Sequence, residues 1–171
     1  MKHFFLPDDY KPLVTDYTAE YLAALGKRAL LCDIDNTLVT YDDPEPTENI
    51  RVWLESLRAA GITVGFISNN TEERVSLFNR ELGLFAAPDA HKPLTGCFRR
   101  FIRETGLDKK EIAHVGDQIF TDVCMAHAVG VTALLVPPIR DKRTALFRFK
   151  RALEKPLMKL YFRRIRKKDK T

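Results

Sequence analysis

Five short apolar runs alternate with helical patterns along this chain, and every run but the last gives way at once to polar residues. "RALLCD" (28–33), "ITVGFIS" (62–68), a short stretch near 84–87, "EIAHVGD" (111–117) and "VTALLVP" (131–137) read as strands. Their nearly continuous apolar character is that of strands buried on both faces. Residues 47–61, 70–83, 94–106 and 121–130 carry helical spacing, and 16–26 adds a helix before the first strand. Thr47 is placed to cap one helix, an Asn-x-x-Glu start at Asn70 another, and Asp16 or Thr18 the first. Such alternation leaves few architectures open. The expected fold is α/β: a three-layer, Rossmann-like parallel sheet with helices on both faces. Sheets of this kind bind ligands beyond the carboxyl ends of their strands.

Polar residues collect at that rim. Asp33 and Asp35 follow the first strand, Ser68 and Asn69 the second, His91 and Lys92 the third, and Asp117 and Asp122 the fourth. Each has a plainer reading: Asp122 as a helix cap, Ser68 as a turn residue, Lys92 as a solvated lysine, His91 as a loop residue. Cys32 beside Asp33 reads as strand packing. Two like charges two positions apart need a cation to hold them. A phosphate monoester would need the same, because its dianion repels an attacking carboxylate until a metal and a lysine cancel the charge.

The stretches "DIDNT", "ISNN", "HKP" and "GDQIFTD" resemble, in order and spacing, the motifs of the haloacid dehalogenase (HAD) superfamily of phosphohydrolases. More narrowly, the chain resembles the YqeG-type subclass IIIA phosphatases, a group similar to the mitochondrial phosphatidylglycerophosphate phosphatases. The resemblance implies a Mg²⁺-dependent phosphomonoester hydrolase. Asp33 is then the nucleophile that forms an aspartyl-phosphate, and Asp35 the acid and base. Mg²⁺ would take one oxygen of Asp33, the backbone carbonyl of Asp35 and the carboxylate of Asp117. Ser68, the backbone N–H of Asn69 and Lys92 would bind the phosphoryl group, with Asp122 in support of Lys92 or of the metal's waters. Asp35 favours phosphoryl transfer over dehalogenation, since the dehalogenases lack this second acid.

The intervals from Asp33 to Ser68 and from Ser68 to Lys92 are consumed by ordinary fold elements, so no cap domain, which needs about 50 residues, is expected. An open site suits a large or surface-held substrate. Cys32, Cys97 and Cys124 are scattered and form neither a disulfide framework nor a zinc pattern.

Charge divides the chain. Residues 140–171 carry 14 Lys or Arg against 3 acids, whereas residues 1–139 are net acidic, within an overall charge of +5. The expected organisation is a phosphatase domain over 1–139 and a basic amphipathic tail over 140–171. In the tail, Leu146, Phe149, Leu153, Leu157, Leu160 or Tyr161, and Ile165 recur at helical spacing, and Pro156 should break or kink the helix. Three readings stand: a helix on an anionic membrane, a helix docked on the domain, or an RNA-binding arm. The alternative to a lipid-phosphate phosphatase is accordingly a nucleic-acid- or ribosome-associated module. If the tail is a membrane anchor, a chain cut after Pro138 should keep its activity on soluble phosphate esters. The opening "MKHFFLPDDY" lacks the features of a signal peptide. The expected location is cytoplasmic, with peripheral membrane contact through the tail.

Overall fold

The computed structural model describes residues 4–140 and 145–168. Six strands form one sheet in the order β1-β6-β5-β2-β3-β4. They are β1 (Asp9–Tyr10), β2 (Ala29–Cys32), β3 (Thr63–Ile67), β4 (Phe85–Ala87), β5 (Ile112–Gly116) and β6 (Thr132–Leu135). All pairs are parallel. The two-residue β1 has no signal in the sequence pattern, being too short to show a period.

The helices are α1 (Ala19–Ala24), α2 (Glu48–Ala59), α3 (Glu72–Asn79), α4 (Gly96–Thr105), α5 (Cys124–Val129) and α6 (Ala145–Lys168). Apolar clusters fill both faces of the sheet. One gathers Tyr17, Leu22, Trp53, Leu54, Leu57 and Phe78 from α1 to α3 and their approaches. The other gathers Phe98, Phe101, Met125 and Val129 from α4 and α5. These layers match the expected fold, and short connections leave no inserted cap among the described residues.

Local chemistry moves several boundaries. Thr18 caps α1 and Thr47 caps α2. The cap of α3 is Thr71 rather than Asn70, because the Asn70 amide turns to Asp35 Oδ2 at 3.0 Å. The predicted 121–130 helix divides into a π-helical turn, Ile119–Val123, and α5. Asp122 explains the looser turn: its carboxylate accepts from the Gln118 N–H at 3.2 Å and faces inward.

Register brings the chemistry to one rim. Cys32 lies opposite both Phe66 and Val115, so β2, β3 and β5 end within one residue of each other. The chain builds β3 and β4 on one side of β2, then returns to place β5 on its other side. Ligand crevices form where the order reverses in this way. Asp33, Ser68 and Asp117 are the first residues past those three strand ends.

The α6 helix is continuous through Pro156, so the break that the sequence allowed does not occur. A proline inside a helix costs about 3 kcal/mol, which contacts along the inner face offset. Tyr161 and Glu154 are buried, Leu157 and Met158 pack on the second cluster, and Phe162 meets the Tyr10 ring edge-on at 5.4 Å. The single apolar stripe read from the sequence is therefore two faces. Phe149, Leu153 and Leu160 point outward, while Leu157 and Tyr161 point in. The Leu146 side chain lies outside the described residues.

Candidate active site

Lys92 reaches the centre of the rim. Its Nζ donates to Asp33 Oδ1 at 2.5 Å and to Asp122 Oδ1 at 2.6 Å, and all three side chains are buried. The second oxygen of Asp33 accepts from the Thr37 hydroxyl at 2.8 Å. The Asn69 side chain clamps the backbone of Lys92, accepting from its N–H at 2.6 Å. Asp122 is thus bonded directly to Lys92. It also accepts from Thr121 Oγ1 at 3.1 Å and lies 3.1 Å from His114 Nε2. Gly116 makes room for this fold-back. A Cβ there would stand 2.3 Å from Asp122 Cγ, so no other residue fits.

Asp33, Asp35, Ser68, Asn69 and Lys92 share a cavity of about 300 Å³, with Tyr41, Asn70 and Gln118 completing its wall. His91 is exposed and lines a neighbouring hollow instead. Ser68 is buried, its Oγ accepting from the Asn70 N–H at 3.1 Å.

The carboxylate of Asp35 is held more firmly than its position suggested. Arg74 donates to its Oδ1 from Nε at 3.2 Å and from Nη2 at 2.9 Å, and Asn70 takes Oδ2. Arg74 also donates to the carbonyls of Asp43 at 2.7 Å and Pro44 at 2.9 Å, tying α3 to the loop that carries Tyr41. For Asp35 to give a proton to a leaving group, this pair must loosen. Arg74 carries no sequence signal for this contact, since it lies 39 positions away in an otherwise ordinary amphipathic helix.

One carboxylate oxygen from each of Asp33, Asp117 and Asp122 falls within 4.8 Å of the others. Asp35 offers no carboxylate oxygen to this cluster; the sequence expectation gave only its backbone carbonyl to the metal. Asp117 is buried and tied to two elements the sequence did not connect to it. Asn36 Nδ2 donates to its Oδ2 at 3.3 Å, and Arg151 of α6 pairs with the same oxygen. Asn36 adopts a left-handed backbone, φ 72°, which Asn tolerates better than most residues.

The charges fit a divalent cation. When all are ionised, Asp33, Asp117, Asp122 and Glu154 bring four negative charges against the two positive charges that Lys92 and Arg151 supply among the described residues. Two negative charges remain in a largely dry site, where only pairing or coordination makes burial tolerable. Hard oxygen donors suit a hard cation such as Mg²⁺.

Burial, reinforced by Asp122 and Asp117 and opposed by Lys92, pushes the Asp33 carboxyl up to about 7. Burial likewise pushes Asp117 up to about 6, against the pull of Arg151. Burial would raise Asp122 too, but Lys92 and His114 outweigh it and hold that group well below the usual range.

Raised carboxyls stabilise the fold below their unfolded pKa of about 3.9, and that contribution is lost as pH rises through 6 to 7. Asp122 acts in the opposite sense only in strong acid, outside this window. The metal-free protein should therefore melt at lower temperature as pH rises from about 5 to 8, and Mg²⁺ should raise the melting temperature more at pH 8 than at pH 5. A Mg²⁺ increment that shrinks with rising pH would contradict the carboxylate cluster as the cation's seat.

Comparison with known proteins gives consistent findings. A family model described as a haloacid dehalogenase-like hydrolase matches residues 8–130. Over 158 residues the chain is 35% identical to "Probable phosphatase YqeG" of Bacillus subtilis (strain 168), covering 92% of each chain. The fold resembles a putative HAD superfamily (subfamily III A) hydrolase from Legionella pneumophila, with TM-score 0.52 and 22% identity, over 70% of this chain and 69% of that one. It also resembles the cobalt-bound deoxy-D-mannose-octulosonate 8-phosphate phosphatase of Haemophilus influenzae, with TM-score 0.54 and 14% identity, over 66% of this chain and 69% of that one. At these identities the two structures bear on the fold alone.

Proposed function

The chain belongs to the haloacid dehalogenase-like hydrolases, and on that premise we propose that it is a Mg²⁺-dependent phosphomonoesterase working through an aspartyl-phosphate at Asp33. The observation that carries the reading is Lys92, bound at once to Asp33 and Asp122 on the wall of the rim cavity. A lysine so placed neutralises a phosphoryl group arriving at Asp33 and opposes the protonation of the nucleophile that burial favours.

Asp33 attacks phosphorus, and the ester oxygen departs. Asp35, once released from Arg74, protonates that oxygen and then takes a proton from the water that cleaves the aspartyl-phosphate. Ser68 Oγ and the Asn69 N–H bind phosphoryl oxygens. Asp33, Asp117 and the Asp35 carbonyl would hold Mg²⁺, with Asp122 beside them. The cation would supply charge neutralisation at the phosphoryl oxygens. A phosphate-release screen over lipid, sugar, nucleotide and peptide esters, with and without chelator, tests this. Full turnover in chelator would remove the metal from the account.

The substrate is read as a phosphate held at an anionic membrane, phosphatidylglycerophosphate being the one to which the family resemblance points. Support comes from the outer face of α6. Phe149, Leu153, Pro156 and Leu160 recur at spacings of four and three and form one exposed stripe, flanked by exposed Arg148, Lys155, Lys159 and Arg164. Among the described residues no helix is long and apolar enough to cross a membrane, so contact would be at the surface.

Replacing Phe149, Leu153 and Leu160 together by Ser should weaken flotation with anionic vesicles at least about a hundredfold, since each insertion contributes on the order of 1 kcal/mol or more. Hydrolysis of a soluble aryl phosphate should stay near the original rate. Added salt should weaken binding of the unaltered chain. Unchanged flotation by the triple variant would defeat the membrane reading, as would RNA binding tighter than vesicle binding.

A further inference from the structure

The basic helix α6 has an inner edge that the membrane reading leaves unexplained. Arg151 and Glu154, three apart and so on one face, both turn toward residues Asp117–Ile119. Arg151 Nη2 pairs with Asp117 Oδ2. Arg151 Nη1 donates to the Asp117 carbonyl at 2.6 Å and to Glu154 Oε2 at 2.7 Å. Glu154 Oε1 accepts from the Ile119 N–H at 2.8 Å. Two side chains thus grip a three-residue segment at three points and are tied to each other by a fourth bond. Glu154 is 4% exposed and Asp117 1%. Burying an ion pair this deeply is costly unless its geometry and hydrogen bonds are complete.

The grip is selective about which oxygen of Asp117 it takes. Oδ2 accepts from Arg151 and from Asn36, whereas among the described residues Oδ1 has only a long contact, 3.4 Å, from Gln118. A planar guanidinium that bonds one carboxylate oxygen and the same residue's carbonyl fixes both the side-chain rotamer and the loop. The less engaged oxygen is left for another partner. Outer partners of this kind orient metal ligands and tune their affinity.

We propose that Arg151 and Glu154 are positioning residues for Asp117 as a metal ligand, which makes α6 part of the catalytic unit. This rests on the metal-dependent reading above. It reverses one expectation of the sequence: a chain cut after Pro138 keeps all four motifs but loses the grip on Asp117, and with it activity on soluble esters.

Deleting Arg151 alone would also change the charge beside a cation, so the test keeps charge constant. Mg²⁺ binding to the full-length chain is measured by titration calorimetry for the unaltered protein, Arg151→Lys, the double variant Arg151→Met with Glu154→Gln, and Asp117→Asn. Both α6 variants should bind Mg²⁺ roughly 10–100-fold more weakly. Their KM for an aryl phosphate at saturating Mg²⁺ should move less than about twofold, a split that general loosening of the fold would not give.

If the double variant fails to fold, Arg151→Lys carries the test, because lysine keeps the charge but cannot reproduce the fork. Unaltered protein that binds no Mg²⁺, or Asp117→Asn that binds it equally well, would remove the metal reading and this proposal together. If those controls behave but both α6 variants bind within about twofold of the unaltered chain, or more tightly, the proposal alone is overturned.

Discussion

Asp33→Asn should lower the rate of aryl phosphate hydrolysis at least about a thousandfold, because amide nitrogen and oxygen cannot replace a carboxylate nucleophile and the covalent route closes. The substitution is nearly isosteric. It keeps an acceptor for the Thr37 hydroxyl, which bonds Asp33 Oδ2, while the Lys92 side loses its charge partner. Removing a carboxyl that burial pushes up to about 7 relieves a cluster of like charges. The metal-free variant should then be at least as stable as the original at pH 8, where that carboxyl is ionised in the unaltered chain. A dead but stable enzyme is the expected pair of results, read by phosphate release and urea unfolding. More than about a tenth of the original rate would take the nucleophile's role from Asp33.

Lys92→Met should have the largest effect on the fold. The ammonium is 3% exposed and lies between Asp33 and Asp122, themselves nearly inaccessible. Removing one partner of a buried pair leaves uncompensated charge and costs about 3–5 kcal/mol. Against a total of about 5–15 kcal/mol for ordinary domains, that is a large share. The deficit should be greatest near pH 8 and shrink as pH falls, because the carboxyls facing Met can then take up protons. Activity should fall at least about a hundredfold, through loss of the charge that meets the phosphoryl oxygens. A loss of less than about 1 kcal/mol at pH 8 would show that the lysine is not compensating those acids.

The rim was legible in the sequence because parallel strands end in register, and a short motif follows each. Apolar runs located β2, β3 and β5, so Asp33, Ser68 and Asp117 could be brought together from pattern alone. Lys92 was readable for a similar reason, following the short β4 by five positions. The partners of these residues were not readable. Arg74 reaches Asp35 from 39 positions away, and Arg151 reaches Asp117 from 34. Arg151 lies among many other arginines and lysines of α6, Arg74 is the one basic residue of α3, and in both cases the packing of the helix selects the contact. His114 and Asn36 were hidden differently, one inside a buried strand and the other in a tight turn.

The tail shows the limit of periodicity most clearly. A repeat of apolar residues every three or four positions marks a helix, but not which of two faces meets the protein. Buried Glu154, flanked by apolar Leu153 and basic Lys155, decided it. A single acid among basic residues carries no sequence signal that marks it as docked.

The most direct test of the central claim is to trap the phosphoryl group on the chain. Asp35→Asn, given an aryl phosphate whose leaving group needs no proton, should be phosphorylated but dephosphorylate slowly, because the base for the second step is gone. Peptide mass spectrometry after acid quench should then find one phosphoryl group, on Asp33, in the presence of Mg²⁺ and not in chelator. Phosphoryl transfer to any other residue, or turnover by the unaltered enzyme with no label on Asp33 in either protein, would contradict the account.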